Sequence, residues 1–247
     1  MSAVSENGEF GFDDAVDAIA HESRRLQEVV AASDLNTRVP TTPKWSLRDL
    51  AHHIGTVQWY WSANVRAKNP AERAIGQLSA LPPDTVLVAW LGWCTYSLLS
   101  ALREAGPSSP SWAWWGEPSP HTAGAVARHQ AQEAAVHRWD AEGSAGSSSP
   151  LPAALANDGV PEFIEVMVGP DVAALRGADR LHAVDTNGSW RIGPDAAAGG
   201  QPTRTAELNA TASDLVLMLY RRLPVPDADV NGDPMLVASL LALADTS

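Results

Sequence analysis

The segment from His121 to Asp140, HTAGAVARHQAQEAAVHRWD, constrains the chain more than any other. It holds no Gly or Pro after Gly124, so it reads as one helix on which Glu133 and His137, four residues apart, project from a single face. Their Cβ atoms then lie about 5 to 6 Å apart, close enough to share an ion through bonds of about 2.0 to 2.2 Å. Two ligands do not complete a catalytic zinc site, which ordinarily takes three protein donors and keeps one position open. A fold that uses the pair must therefore bring a third donor against this helix. The competing reading of the same spacing is a solvated ion pair contributing only about a few tenths of a kcal/mol.

Upstream, residues 10–33 place apolar side chains at Phe12, Val16, Ile19, Ala20, Leu26, Val29 and Val30 with charges between them, which predicts a first helix. Pro40 and Pro43 hold the following stretch extended before Trp45. Ser46 followed by Asp49 is a variant capping box that opens a second helix reaching about Ala67. His52 and His53 lie on it, about 100 degrees apart around the axis, so only one of them fits a given metal position well. His53 follows the stripe of Leu50, Ile54 and Val57 better than His52 does. Pro82, Pro83 and Asp84 announce a third helix over 84–105, ended by Gly106 and Pro107. Residues 106–119, GPSSPSWAWWGEPS, lack periodicity and read as a Trp-rich loop that folds over a pocket or a neighbour, since exposed Trp is costly. With the fourth helix over 122–142, four helices predict an all-α bundle whose site is built from inward-facing side chains.

The run GSAGSSSPLP, residues 143–152, reads as a linker, and the chain changes character after it. Residues 153–168 look helical. Alternating segments at LHAVD, SWRIG and RTAELNA, separated by Asn187-Gly188 and by a Gly-rich patch at 196–200, predict antiparallel strands. Asp214 to Leu223 and the terminal MLVASLLALA read as helices. The expected architecture is multi-domain: an all-α four-helix bundle over 1–142 and a smaller α+β domain over 153–247.

A formal net charge of −12 and a pI near 4.9 argue against nucleic acid and anionic membrane surfaces as partners, since both demand basic patches. The single cysteine, Cys94, excludes an internal disulfide, fits a reducing compartment, and sits in an apolar run where a buried thiol is inert. The acidic N-terminus has no signal-peptide pattern, and polar residues interrupt each apolar run, so a cytoplasmic protein is expected. Ten Trp stand against three Phe and three Tyr, and several flank the candidate site.

Three segments together resemble the mycothiol-dependent maleylpyruvate isomerase family: WSLRDLAHHIG at 45–55, ARHQAQEAAVHRWDAE at 127–142, and TASDLVLMLYRRLP with VNGDP across 211–234. The resemblance spans both halves. It implies a DinB-like four-helix bundle followed by a sterol-carrier-like α+β domain, and a zinc ion, or another divalent metal, held by His53, Glu133 and His137. His53 matches because the family's His stands eight residues after the Trp and directly before a hydrophobic residue and Gly, as in Trp45, His53, Ile54 and Gly55. It also implies an activity-supporting Arg in the second domain, which Arg222 of YRRLP resembles. The chain departs from the family at Gln58 and Gln132, where His is frequent, and in the Trp112–Trp115 stretch.

The resemblance further implies mycothiol as a thiol cosubstrate and a small electrophile as substrate, acted on by a monomer or small homo-oligomer. In the isomerase form a thiolate adds to a cis double bond, the new single bond rotates, and elimination gives the trans isomer. In a thiol S-transferase form the thiolate stays attached. A third reading is a non-catalytic ligand-binding protein with a metal-stabilised bundle. Asp140, three residues after His137, is expected to orient a ligand or to pair with Arg138 or Arg48 rather than bind the metal. The pocket is expected between the two domains, with Arg222 facing the open metal position as a bidentate carboxylate partner.

Overall fold

The structure is a computed structural model that describes residues 10–67, 72–73, 81–117, 119–175, 178–193, 205–226 and 229–243. The Gly-rich patch at 196–200 lies outside these residues. The chain forms two compact units, one of Met1–Trp114 with Pro120–Ser149 and one of Trp115–Ser119 with Pro150–Ser247.

The first unit is a bundle of α1 (Phe12–Ala32), α2 (Leu47–Val65), α3 (Leu87–Ala105) and α4 (Ala123–Ser144). α1 packs on α4 and α3, and α2 packs on α3 and α4. α1 buries Val16, Ile19, Leu26 and Val30, the three-and-four spacing of one helix face. α2 starts where the sequence signals it: Ser46 Oγ accepts from the Asp49 N–H, and Asp49 Oδ2 accepts from the Ser46 N–H at 2.8 Å. A Cβ on Gly55 would sit 2.1 Å from the Trp90 ring, so glycine is what lets α2 and α3 meet there.

Between α1 and α2 the chain folds back in a short bridge, Arg38 against Ser46, with Val39 fully buried beneath it. That turn carries Thr41 and Trp45 to the C-terminal end of α4, as the contacts below show.

The helix over Asp84–Ala105, including a 3₁₀ turn at Asp84–Val86, is by length and composition apolar enough to cross a membrane, at mean hydropathy 1.5, although interruption by polar residues argues against this in the sequence. Here it is a core helix, burying Leu87, Leu91, Cys94, Leu98 and Leu102. α4 is polar and has no apolar stripe, yet it is buried nearly all round.

The expected linker is in part bundle. α4 runs on to Ser144, and Ser149 is held by its own N–H and hydroxyl donating to Glu142 Oε2, both at 2.8 Å. Glu142 is bound by Arg138 at 2.8 Å and by Arg25, and Arg138 also reaches Glu22 at 2.7 Å. Composition alone missed this, because Ser serves a flexible tether and a hydrogen-bonded strap equally well.

The second unit contains α5 (Ala153–Phe163), continued by irregular helical turns through Ala174, then β1 (Ala178–Ala183), β2 (Ser189–Ile192), β3 (Thr205–Ala210), α6 (Ala212–Leu219), β4 (Val230–Gly232) and α7 (Pro234–Leu243). The strands form one sheet in the order β2-β1-β3-β4. β1 and β2 are the antiparallel hairpin that Asn187-Gly188 predicts, with Asn187 at φ 58°. β1 and β3, however, pair in parallel, Leu181 opposite Leu208, which corrects the expected all-antiparallel sheet. Alternation tells which residues share a face and says nothing of strand direction; only a short turn fixes that. α6 and α7 both pack on β1 and β3, and α5 packs on α6, where Phe163 meets Tyr220 edge to face at 4.9 Å.

Candidate metal centre

α2 and α4 together bring the three expected donors to one point. His53 comes from the second turn of α2, Glu133 and His137 from successive turns of α4, and one ligand atom from each lies within 4.8 Å of the others. Glu133 Oε2 is 3.4 Å from His137 Nε2 and 3.9 Å from His53 Nε2. His52 takes the other course: its Nε2 faces the Pro82 carbonyl at 3.3 Å and its ring meets Trp90 edge-on. The 100-degree step between adjacent residues thus separates the two histidines.

The protonation pattern decides what this cluster lacks. His137 Nδ1 is 3.0 Å from Asp140 Oδ2, and the Thr41 hydroxyl donates to Asp140 Oδ1 at 2.6 Å. An ionised carboxylate only accepts, so His137 carries its hydrogen on Nδ1. The neutral ring then turns the Nε2 lone pair toward Glu133 Oε2, which is buried and has no hydrogen-bond donor among the described residues. Two lone pairs facing each other across 3.4 Å need a cation between them.

In the bare protein a proton fills that need. Burial opposes charging His137, but Asp140 and Glu133 override it and raise its pKa to about 9. Burial likewise pushes the Glu133 carboxyl up, and the imidazoles of His137 and His53, with His129 adding to them, hold it well below the usual carboxylate range. Two imidazole nitrogens and one carboxylate oxygen are also the donor set of a divalent metal, so the residues fit such an ion. The His53 side chain is 33% exposed against 8% for His137, so the donors are approached from the His53 side.

Several residues whose part in the site the sequence leaves open stand around the cluster. Trp45 lies against the cluster, its ring tilted to both imidazoles, with its centroid 4.8 Å from that of His53 and 6.2 Å from that of His137. Thr41 fixes Asp140. His129 lies one turn before Glu133, so spacings of four and eight residues on α4 mark it in the sequence. Around it stands an aromatic group: Trp61 and Trp114 edge-on to His129, Trp112 tilted against Trp61, and Tyr60 edge-on to both Trp61 and Trp112.

Of the remaining candidates, Arg48 pairs with Asp84 at 2.7 Å and with Asn36, while Arg138 binds Glu22 and Glu142. Arg222 lies in the second unit just past α6, where its guanidinium donates to the Tyr220 carbonyl at 2.9 Å. Gln58, one of the departures from the family pattern, donates to Ser23 and accepts from Thr95, both at 2.8 Å, tying α1, α2 and α3 together. Cys94 is fully buried, and burial pushes its thiol up to about 12, so it supplies no nucleophile at neutral pH.

Residues 16–142, just over half of the chain, match the family described as Mycothiol maleylpyruvate isomerase N-terminal domain. The chain belongs to that family. The membership places the His53, Glu133 and His137 cluster wholly inside the family's own domain. Among solved structures, the chain is similar to mycothiol-dependent maleylpyruvate isomerase and to a histidine-to-alanine mutant of it. Each superposes with a TM-score of 0.59 at 12% identity, over 90% of this chain and 93% of the other. At that identity the likeness concerns the fold, and it extends over both units. Comparison with curated protein sequences finds no match.

Proposed function

We propose that this chain is a metal- and mycothiol-dependent enzyme whose thiol cosubstrate adds to an electrophilic small molecule, as in cis-trans isomerisation of maleylpyruvate to fumarylpyruvate. The observation that carries the reading is the pair of facing acceptors, His137 Nε2 and Glu133 Oε2, in a pocket where Asp140 fixes the imidazole tautomer. Family membership supplies the thiol, and the inert Cys94 leaves a borrowed one as the nucleophile.

His53, Glu133 and His137 would hold the metal, zinc by donor type, although two imidazoles and a carboxylate also suit iron. When bound, a divalent cation there favours the ionised form of a coordinated thiol at neutral pH. Asp140 holds the His137 proton at Nδ1, which keeps Nε2 available as a donor atom, and Thr41 holds Asp140. The Trp45 ring lies tilted against both imidazoles and helps to hold their orientation. In the reaction the sulfur forms a bond to one alkene carbon as the double-bond pair moves into the neighbouring carbonyl. Rotation about the new single bond follows. Return of that pair then expels the thiolate and leaves the trans alkene, so no atom is gained or lost. Arg222 serves as the partner of a substrate carboxylate, a bidentate role that Lys does not reproduce.

A transferase outcome shares the addition step and omits the expulsion. Mass spectrometry of the protein incubated with mycothiol and maleylpyruvate separates the two: the isomerase yields fumarylpyruvate with mycothiol recovered, and the transferase yields a conjugate. Maleylpyruvate and mycothiol recovered unchanged from metal-loaded protein would overturn the reading. Arg222→Lys is expected to slow turnover with metal content intact.

A further inference from the structure

Beside the metal cluster, α4 carries a buried group that no described residue satisfies. Gln130 is 1% exposed, and neither its Nε2 nor its Oε1 has a hydrogen-bond partner among the described residues. Leaving a buried donor and acceptor unmade is unfavourable, and an apolar residue of similar size would avoid the cost. At about 100 degrees per residue, Gln130 lies on the face of α4 that carries Glu133 and His137, one to two turns toward the N-terminus.

The second observation is independent of the first. Also one turn before Glu133, His129 is buried, and Trp61 and Trp114 stand edge-on to it at 6.1 and 5.9 Å. Trp112 continues the group, tilted against Trp61 at 6.2 Å. Trp114 nonetheless keeps 49% of its surface in solvent, and the Arg73 guanidinium sits 5.9 Å from the Trp112 ring centre, at the rim. Trp61 is two turns along α2 from His53, so this aromatic group and the metal donors follow one another along the same α2–α4 pair.

We propose that Gln130 and the Trp61, Trp112 and Trp114 group form a substrate subsite beside the metal cluster, which accepts an electrophile with a flat conjugated or aromatic part and a carbonyl or carboxylate. The flat part packs against Trp114 and Trp112, the indoles that keep surface in solvent, while Trp61, 3% exposed, backs Trp112. A carbonyl oxygen accepts from the Gln130 amide, and an anionic group finds Arg73 at the rim. The subsite rests on the proposed function only for the identity of the bound molecule as an electrophile. Its consequence is selectivity for substrates larger and flatter than a short open-chain diacid.

Cinnamate, titrated calorimetrically into the full-length protein with maleate as the small flat control, is the test. Cinnamate is expected to bind about tenfold more tightly than maleate. Trp114→Leu and Gln130→Leu are each expected to reduce that preference by about threefold to tenfold. Gln130→Leu carries a second readout: it raises the melting temperature of the ligand-free protein, because the unsatisfied amide is gone, while weakening cinnamate. A merely structural glutamine would move the melting temperature and leave the titration alone, and that result overturns the proposal. So does equal affinity for cinnamate and maleate in the unsubstituted protein. Metal analysis of the same sample reports on the proposed function separately, since the affinity ratio is read whether or not a metal is present.

Discussion

α3 and α4 differ in a way that reverses the usual sorting of residues. α3, LVAWLGWCTYSLLSALREA, is strongly apolar, yet it turns Trp93 and Tyr96 to solvent at 50% and 69% exposure. α4, AGAVARHQAQEAAVHRWDAEGS, is polar along its length, yet it buries His129, Gln130, Gln132, His137, Arg138, Asp140 and Glu142. Apolar side chains scattered singly over a protein surface are common, whereas a buried polar one must find a partner. Toward its C-terminal end α4 finds them: Arg138, Glu142, Glu22, Arg25 and Ser149 form one network of ion pairs and hydrogen bonds. Gln130 finds no partner among the described residues, and Glu133 Oε2 faces only the two imidazoles, at 3.4 and 3.9 Å; that contrast within one helix marks where a ligand belongs.

The largest expected effect tests the satisfied half of α4. Arg138 and Glu22 are both fully buried, and removing one member of such a pair typically costs about 3–5 kcal/mol. Arg138→Ala should therefore lower the urea unfolding free energy by about that amount, with Arg138→Met combined with Glu22→Leu recovering much of it. A loss below about 1 kcal/mol for Arg138→Ala would mean that the network is not what makes a polar α4 tolerable in the interior.

Next in size is Asp140→Asn. Partners that orient a metal-binding imidazole typically contribute about tenfold to a hundredfold in affinity, so zinc titration of the variant should show a loss in that range. Unchanged affinity would reduce Asp140 to a packing residue.

A shallower effect concerns pH in the metal-free protein. His137 has its pKa raised to about 9 from the ordinary 6.5, so between those values the native state holds a proton that the unfolded chain has released. Its contribution to stability is complete below pH 6.5 and disappears as the pH rises through about 9. A cation occupying the same place removes that dependence. Unfolding of chelated and zinc-saturated protein at the two pH values should show a larger decline in the chelated sample, and parallel curves would contradict the assignment.

The smallest effect lies on the outer face of α3, where Trp93→Gln should change stability by no more than about 0.5 kcal/mol in the same urea assay.

Much of the bundle was legible because local signals agree with it. The Ser46–Asp49 cap, the breaks at Pro82-Pro83 and Gly106-Pro107, and the breaker-free run after Gly124 place α2, α3 and α4 to within a few residues. The meeting of His53, Glu133 and His137 was legible from spacing joined to family resemblance. What escaped depends on contacts distant in sequence. Thr41 lies 99 residues from Asp140, and nothing in the motif at 37–44 announces that bond. The same holds for Trp45 over the imidazoles and for the parallel pairing of β1 with β3, since strand alternation carries no direction. Spacing alone marks His129, but its role becomes visible only with the Trp rings around it.

The central claim is that the facing acceptors of Glu133 and His137 exist to hold a cation, and metal stoichiometry tests it most directly. Native mass spectrometry of the purified protein, the Glu133→Gln variant and the His137→Ala variant should find one divalent ion per chain in the first and strong depletion in the other two. Full occupancy in either variant, or none in the unsubstituted protein after incubation with zinc, would contradict the account.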